Sequence, residues 1–514
     1  MTEGPPSVPP PGHPGPYAPS PAGPHAHPAP AGPYGTPTPY GPPPYPPPGA
    51  YAPPPSPGRR SRRGLWIGLG AAVLALALAL CAGSLVVLKS YLDARNAASA
   101  AALDDKYSPI RQEKIEALLA AHTRALTERG EKAFVAPFDP TKKGLVAEQT
   151  SLYRNLSRLP LADVRFKYLT KSDFRPVGGG HEVDVTVAFV HRFDGFDLGP
   201  VEEWYRWTIV QTDKDAPLKV TRAGGFPEER KRDAITHYPA PWDKWRSIHV
   251  ERTPHTLLIV DSSLRAAAQR YAPIAEQAAV ADLAAWQAGG VSAPAPSGFV
   301  ISLVKGRTEL GSLYRTTKET PTESGVAIPV PPEGVLNSDE KGPVVGATRV
   351  VIDVRDAYHF TRGTRERQLN LFRHEIGHAL VGNLTARAPG SHLLGEKETW
   401  VVEGFAEYLG HGRKPWLTSE RTADSRAVIR EIGQPYSLPG NLTWDQEDRV
   451  GYHYWLGHSA IGYLVERYGE QKMFQLVAEH YRSRKIGEVT QDVLGVSYEE
   501  FEKAWLAYLK AEVR

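Results

Sequence analysis

Two histidines and a glutamate lie close together in residues 371–378, which read LFRHEIGH. The surrounding pattern predicts a helix, and in a helix residues four apart lie above one another on one face. His374 and His378 are therefore spaced to share one tetrahedral metal ion. Glu375, next to the first histidine, is placed to reach a water on that metal rather than the metal itself. The HExxH spacing thus predicts a metal site with a proton acceptor beside it.

A third ligand is expected, because a catalytic zinc site has three protein ligands and one open position. Residues 400–408 read WVVEGFAEY, and Glu403 stands 25 positions beyond His378. HExxH followed by this segment resembles the gluzincin zinc metallopeptidases, in which a later helix supplies a glutamate ligand. The resemblance implies that Glu403 is the third ligand and that the cofactor is Zn²⁺. It also implies that Glu407, one helical turn on, orients a ligand histidine through its second ring nitrogen.

A further candidate follows in residues 454–457, which read YWLG. They resemble the YxxG helix of the aminopeptidase-type gluzincins, whose tyrosine donates a hydrogen bond to the tetrahedral oxyanion. The resemblance makes Tyr454 a candidate catalytic residue, although Tyr452, His453 and His458 are close enough to serve instead. No GxMEN-like segment precedes HExxH to hold a free amine, so endopeptidase rather than exopeptidase activity is expected.

The wider likeness, over residues 248–514, is to peptidase MA-like domains of bacterial surface proteins, and includes the closing runs YGEQKMFQLV and YEEFEKAWLAYL. Apolar runs at 255–260, 299–304 and 349–354 predict strands, and the rest is mostly helical. We expect a zincin-like α+β domain, with a small sheet, Pro-rich turns at 329–332 between sheet elements, and a helical C-terminal half.

Residues 107–244 have a different pattern. Two predicted helices, with apolar stripes at 115–126 and 145–156, precede four alternating runs at 164–168, 183–189, 205–209 and 218–220. Period-two alternation predicts an antiparallel sheet with helices on one face. The element order resembles the NTF2-like cone domains, which are also α+β. No paired acid and base emerges here, so binding, spacing or regulation is expected rather than catalysis.

The N-terminal part predicts a tail and an anchor. Residues 1–58 hold most of the proline, with 25 of the 48 prolines in the first 57 residues, and are expected to be a disordered Pro/Gly/Tyr-rich segment. Residues 65–88 are 24 residues without charge, which predicts a transmembrane helix over 64–89. Four arginines precede it, so the tail is expected in the cytoplasm and the rest outside the cell. Cys81, the single cysteine, lies in this span and excludes any disulfide framework.

These patterns predict a single-pass, membrane-anchored extracellular zinc metallopeptidase that cleaves peptides or proteins with a zinc-activated water and Glu375 as general base. One alternative is a non-catalytic surface-binding protein with a relic peptidase domain. Another is a sensor in which residues 107–244 gate the peptidase. A net charge of +3 over 514 residues gives no nucleic-acid footprint. The sequence does not identify a partner for the cytoplasmic tail.

Overall fold

The structure of the protein is a computed structural model that describes residues 108–225, 237–314, 322–334, 344–385, 397–444 and 449–513. The predicted tail (1–58) and transmembrane helix (64–89) lie outside the described residues. Among the helices that are described, none combines the length and the apolar character that a membrane span requires.

The strands run in chain order as follows: β1 Leu161–Lys171, β2 Arg175–Val177, β3 Gly180–Phe193, β4 Val201–Gln211, β5 Lys219–Gly224, β6 Ile248–Arg252, β7 Thr256–Asp261, β8 Phe299–Val304, β9 Gly325–Val330 and β10 Ala347–Asp353. The α-helices are α1 Gln112–Thr127, α2 Glu131–Val135, α3 Lys143–Leu156, α4 Pro241–Lys244, α5 Arg265–Ala288, α6 Arg307–Leu310, α7 Arg365–Gly382, α8 Thr399–Gly410, α9 Thr422–Ile432, α10 Val450–Tyr468, α11 Glu470–Tyr481, α12 Ile486–Leu494 and α13 Tyr498–Glu512. The mixture of sheet and helix is consistent with the predicted α+β class.

The first region, which we define as the described part of 108–244, contains an antiparallel sheet in the order β1-β3-β4-β5, with β2 paired to β3. The predicted strands and the two predicted helices are confirmed. Alternating residues of β3, including Val183, Val185 and Val187, are fully buried beneath the helices. The period-two pattern of the sequence therefore corresponds to one covered face of this sheet.

The second region, residues 248–513, contains a five-stranded sheet in the order β6-β7-β8-β10-β9. Its three central strands are parallel, and the two outer strands pair antiparallel. The three predicted strands are confirmed, but the predicted turn at 329–332 is partly wrong, because Pro329 lies inside strand β9. Proline donates no ladder hydrogen bond and is tolerated in β9 because that strand is at the sheet edge.

The central strands of the second sheet are buried on both faces, which explains why they read as unbroken apolar runs. Leu258, Ile301 and Val350 face the core formed with the helices of the second region. The side chains of the opposite face, Leu257 and Val300 among them, belong to the core of the first region. The two regions therefore share one hydrophobic core instead of packing as separate bodies.

A buried ion pair also joins the regions. Arg349 of β10 donates two hydrogen bonds to Asp197, which follows β3, at 2.6 and 2.9 Å. The two side chains are only 1% and 3% exposed. Such a bidentate pair fixes both geometry and charge, because each buried ion depends on the other.

Candidate metal centre

The HExxH segment lies within the long helix α7. Thr364 caps its N-terminus by accepting a hydrogen bond from the Arg367 backbone N–H at 3.2 Å, which satisfies one of the free donors of the first turn. The apolar side of α7, including Phe372 and Ile376, is fully buried. This packing turns the opposite side, with His374 and His378, toward helix α8.

Helix α8 carries WVVEGFAEY and packs against α10 at very close range. A Cβ atom placed on Gly404 would lie 2.4 Å from the backbone oxygen of Gly457, so neither helix has room for a larger residue at this crossing. These are the glycines of the EG and YWLG segments. The close approach of the two backbones brings Glu403 and Tyr454 to the same site as the histidines.

Three ligand atoms converge between α7 and α8. The Nε2 atoms of His374 and His378 are 3.2 Å apart, and Glu403 Oε2 lies 3.3 and 3.4 Å from them. Zinc–ligand bonds of about 2.0–2.1 Å in tetrahedral geometry require ligand atoms about 3.3 Å apart. Glu403 Oε2 is also buried without a hydrogen-bond partner. The residues present therefore fit a tetrahedral metal ion.

The charges of the site favour a cation. Burial alone would lower the pKa of His374, but hydrogen bonds to Glu403 and Glu407 and the nearby carboxylates raise it to about 10. Burial likewise opposes ionisation of Glu403, yet the two histidines hold the pKa of this carboxyl well below its usual range. A proton is thus strongly held where a metal ion would provide the same positive charge.

Glu375 lies against the edge strand β9. A Cβ atom on Gly325 would be 2.6 Å from Glu375 Oε1, so only glycine leaves room for this carboxylate. Burial raises the pKa of Glu375, whereas the neighbouring His374 and His378 act to lower it. The result is a buried carboxyl group beside the histidines with increased affinity for a proton, as a general base requires.

The structure separates the four candidates for oxyanion stabilisation. The ring of Tyr454 is 5.9 Å from that of His374. His453 Nδ1 is instead bonded to the Trp444 carbonyl oxygen at 2.8 Å, and the rings of Tyr452 and Trp455 stack at 6.2 Å. Burial, together with the nearby carboxylates, raises the pKa of Tyr454 well above its ordinary value. Its phenol therefore keeps a proton that it can donate.

Glu407 lies directly behind His374, where the resemblance placed it. Its Oε1 is 3.3 Å from His374 Nδ1, and its Oε2 is 3.2 Å from His411 Nε2. Arg421 contacts both oxygens, at 3.3 and 3.4 Å. Burial opposes ionisation, but Arg421 and the two histidines hold the pKa of Glu407 well below its usual value.

Glu407, His411 and His458 form a second group of potential metal ligands. Arg421 already balances the charge of Glu407, and a divalent ion here would lie close to its guanidinium group. His458 is fully buried with its ring 5.2 Å from that of His411, and burial lowers its pKa to about 3. We therefore interpret this group as the support of Glu407.

Sequence reasoning missed Arg421, His411 and Gly325. His411 follows Glu407 by four positions at the end of α8, so helical spacing was a usable signal. Arg421 and Gly325 reach the site only through tertiary packing, and no spacing rule would have identified them. A scan against protein-family models and a search of curated proteins both returned no match for this chain.

Proposed function

We propose that the protein is a zinc metallopeptidase whose metal ligands are His374, His378 and Glu403. The observation that carries the proposal is the convergence of these three ligand atoms, at 3.2–3.4 Å from one another. Their mutual distances match the edges of a zinc tetrahedron of about 3.3 Å. The gluzincin resemblance of HExxH and WVVEGFAEY supports the choice of zinc and of peptide substrates.

When bound, zinc would supply Lewis-acid chemistry that polarises a carbonyl oxygen and lowers the pKa of water. Glu375 would take the proton from the attacking water and deliver it to the leaving amine, for which its raised pKa is suited. Tyr454 would donate its phenolic hydrogen to the oxyanion that forms on the substrate. Glu407 would accept a hydrogen bond from His374 Nδ1, which fixes the ring and its tautomer.

The anchor and the extracellular location belong to the proposal as sequence predictions, since residues 1–107 are not described. The 24 uncharged residues at 65–88 and the four arginines before them support a single membrane span with the peptidase outside. The NTF2-like assignment of the first region is likewise a proposal, supported by two helices that precede an antiparallel sheet.

The experiment combines metal analysis with unbiased peptide-cleavage profiling of the full chain. Wild type is expected to hold one zinc ion at this site and to cleave peptides internally. Glu375→Gln should keep the zinc and lose at least about 1,000-fold in kcat, because the proton acceptor is gone while the ligands stay. A Glu375→Gln variant with wild-type activity contradicts the mechanism. Zinc without turnover of any peptide favours the non-catalytic alternative.

A further inference from the structure

Glu407 is held by three cationic or donor groups, and one of them also reaches the other side of the site. Arg421, the residue immediately before α9, contacts both carboxylate oxygens of Glu407. Its guanidinium carbon lies 5.1 Å from the ring centre of Tyr454. One side chain therefore bridges the hydrogen-bond partner of His374 and the proposed oxyanion donor.

This bridge matters because the two groups come from different helices. Glu407 is on α8, whereas Tyr454 is on α10. The carboxylate of Glu407 is only 6% exposed, and a buried carboxylate stays ionised only while charged partners surround it. Without Arg421, the carboxylate would lose its closest full positive charge. The orientation of His374 depends in turn on Glu407, 3.3 Å away.

The contact with Tyr454 acts in the same direction. A cation over the face of an aromatic ring is attracted by its quadrupole and restricts the ring position. The positive charge of Arg421 also opposes the rise in the pKa of Tyr454 that burial and the carboxylates cause. A tyrosine near a cation is a better hydrogen-bond donor, which is the property that oxyanion stabilisation needs.

We propose that Arg421 is a positioning residue that holds Glu407, and through it His374, in register with Tyr454. The inference rests on the proposed function and deepens it, because it adds a group that touches neither metal nor substrate. Arginine is suited to this position, since its planar fork can engage both carboxylate oxygens while its face packs on an aromatic ring.

The test compares Arg421→Met and Arg421→Lys with the control Arg426→Met, which removes an exposed arginine from α9. Zinc affinity is measured by chelator competition, and kcat and KM on a peptide that wild type cleaves. Arg421→Met should weaken zinc binding and lower kcat by about tenfold or more, with KM little changed. Arg421→Lys should recover part of the loss, and Arg426→Met should match wild type.

A double-mutant cycle with Glu407→Gln separates positioning from a general structural effect. If Arg421 acts through Glu407, the double variant should be little worse than Glu407→Gln alone. Additive losses overturn the proposal, as does an Arg421→Met variant within about twofold of wild type in both zinc affinity and kcat. A second zinc ion per chain that His411→Gln removes also overturns it, because Glu407 would then be a ligand.

Failure of the proposed function gives a different result. A wild-type chain that binds zinc but hydrolyses no peptide contradicts the peptidase proposal, while the zinc affinities still decide the role of Arg421 in holding His374. A wild-type chain that binds no zinc overturns both proposals.

Discussion

Buried histidines occur in both regions, and their surroundings give them opposite properties. His122 in the first region is fully buried among the rings of Phe134, Phe166 and Trp207, and burial lowers its pKa to about 3. His374 in the second region faces carboxylates, which raise its pKa to about 10 despite burial. The comparison teaches that a histidine becomes a metal ligand through the charges that its neighbours direct at it.

The regions also differ in what they depend on. The second sheet needs the first region to cover one of its faces, because Leu257, Ile259, Val300 and Val351 are buried in the shared core. The first region contributes packing but, among its described residues, no group of converging metal ligands. The following predictions break this division of roles, beginning with the largest effect.

Deletion of residues 107–244 should abolish folding of the remaining chain. Each apolar side chain that loses its cover forgoes about 1.5–3 kcal/mol, so four amount to on the order of 10 kcal/mol. That is comparable with the whole stability of a domain, about 5–15 kcal/mol. Circular dichroism and gel filtration of the truncated chain check this. A soluble, cooperatively unfolding fragment that cleaves peptides would show that the regions are independent, and would allow the gating alternative to be tested by its rate.

Asp197→Ala should cost about 3–5 kcal/mol of unfolding free energy, because it leaves the buried Arg349 guanidinium without its counter-ion. Urea unfolding at neutral pH measures the effect. Asp194→Ala is the control, since the side chain of Asp194 is 67% exposed. Equal stabilities of the two variants would mean that the ion pair does not join the regions.

Gly404→Ala should separate α8 from α10, because its Cβ atom would lie 2.4 Å from the Gly457 oxygen. Overpacking of this kind costs about 1–3 kcal/mol. Zinc affinity and kcat should fall with stability, since Glu403 and Tyr454 move apart. Gly487→Ala is the matched control on helix α12, where an added Cβ atom meets nothing within 4 Å. If Gly404→Ala keeps wild-type zinc affinity, the close crossing is not what positions the site.

Acid should destabilise the first region through His122. Its pKa is about 3 in the folded chain and about 6.5 when unfolded, so the unfolded chain binds more protons between these values. Stability is therefore fully present above pH 6.5 and falls as the pH is lowered toward 3. At pH 5.5 the loss is about 1.4 kcal/mol.

His122→Leu should flatten this slope relative to wild type, as chemical unfolding between pH 7 and pH 5.5 would reveal. His181→Leu is the control, because His181 is a half-buried residue of the same sheet. Identical slopes in wild type and His122→Leu would mean that His122 is already protonated in the folded chain.

The sequence determined the chemical part of the site. The i, i+4 histidines follow from helical geometry alone, and the predicted helix contains them in the structure. The strands at 256–261, 299–304 and 347–353 were equally predictable, because unbroken apolar runs are typical of strands buried on both faces. Strand β9 was missed, since Pro329 is a turn signal unless the strand is known to be at an edge.

Only the tertiary structure decided which residues meet. Glu403 reaches the histidines because Gly404 and Gly457 let two helix backbones approach closely. Arg421 reaches Glu407 from a separate helix, and Gly325 makes room for Glu375 from a strand about 50 positions earlier. Local periodicity fixes which side chains share a face of one element. Contacts between elements depend on how their backbones pack, which is why a single sequence indicated the ligands but not the groups that hold them.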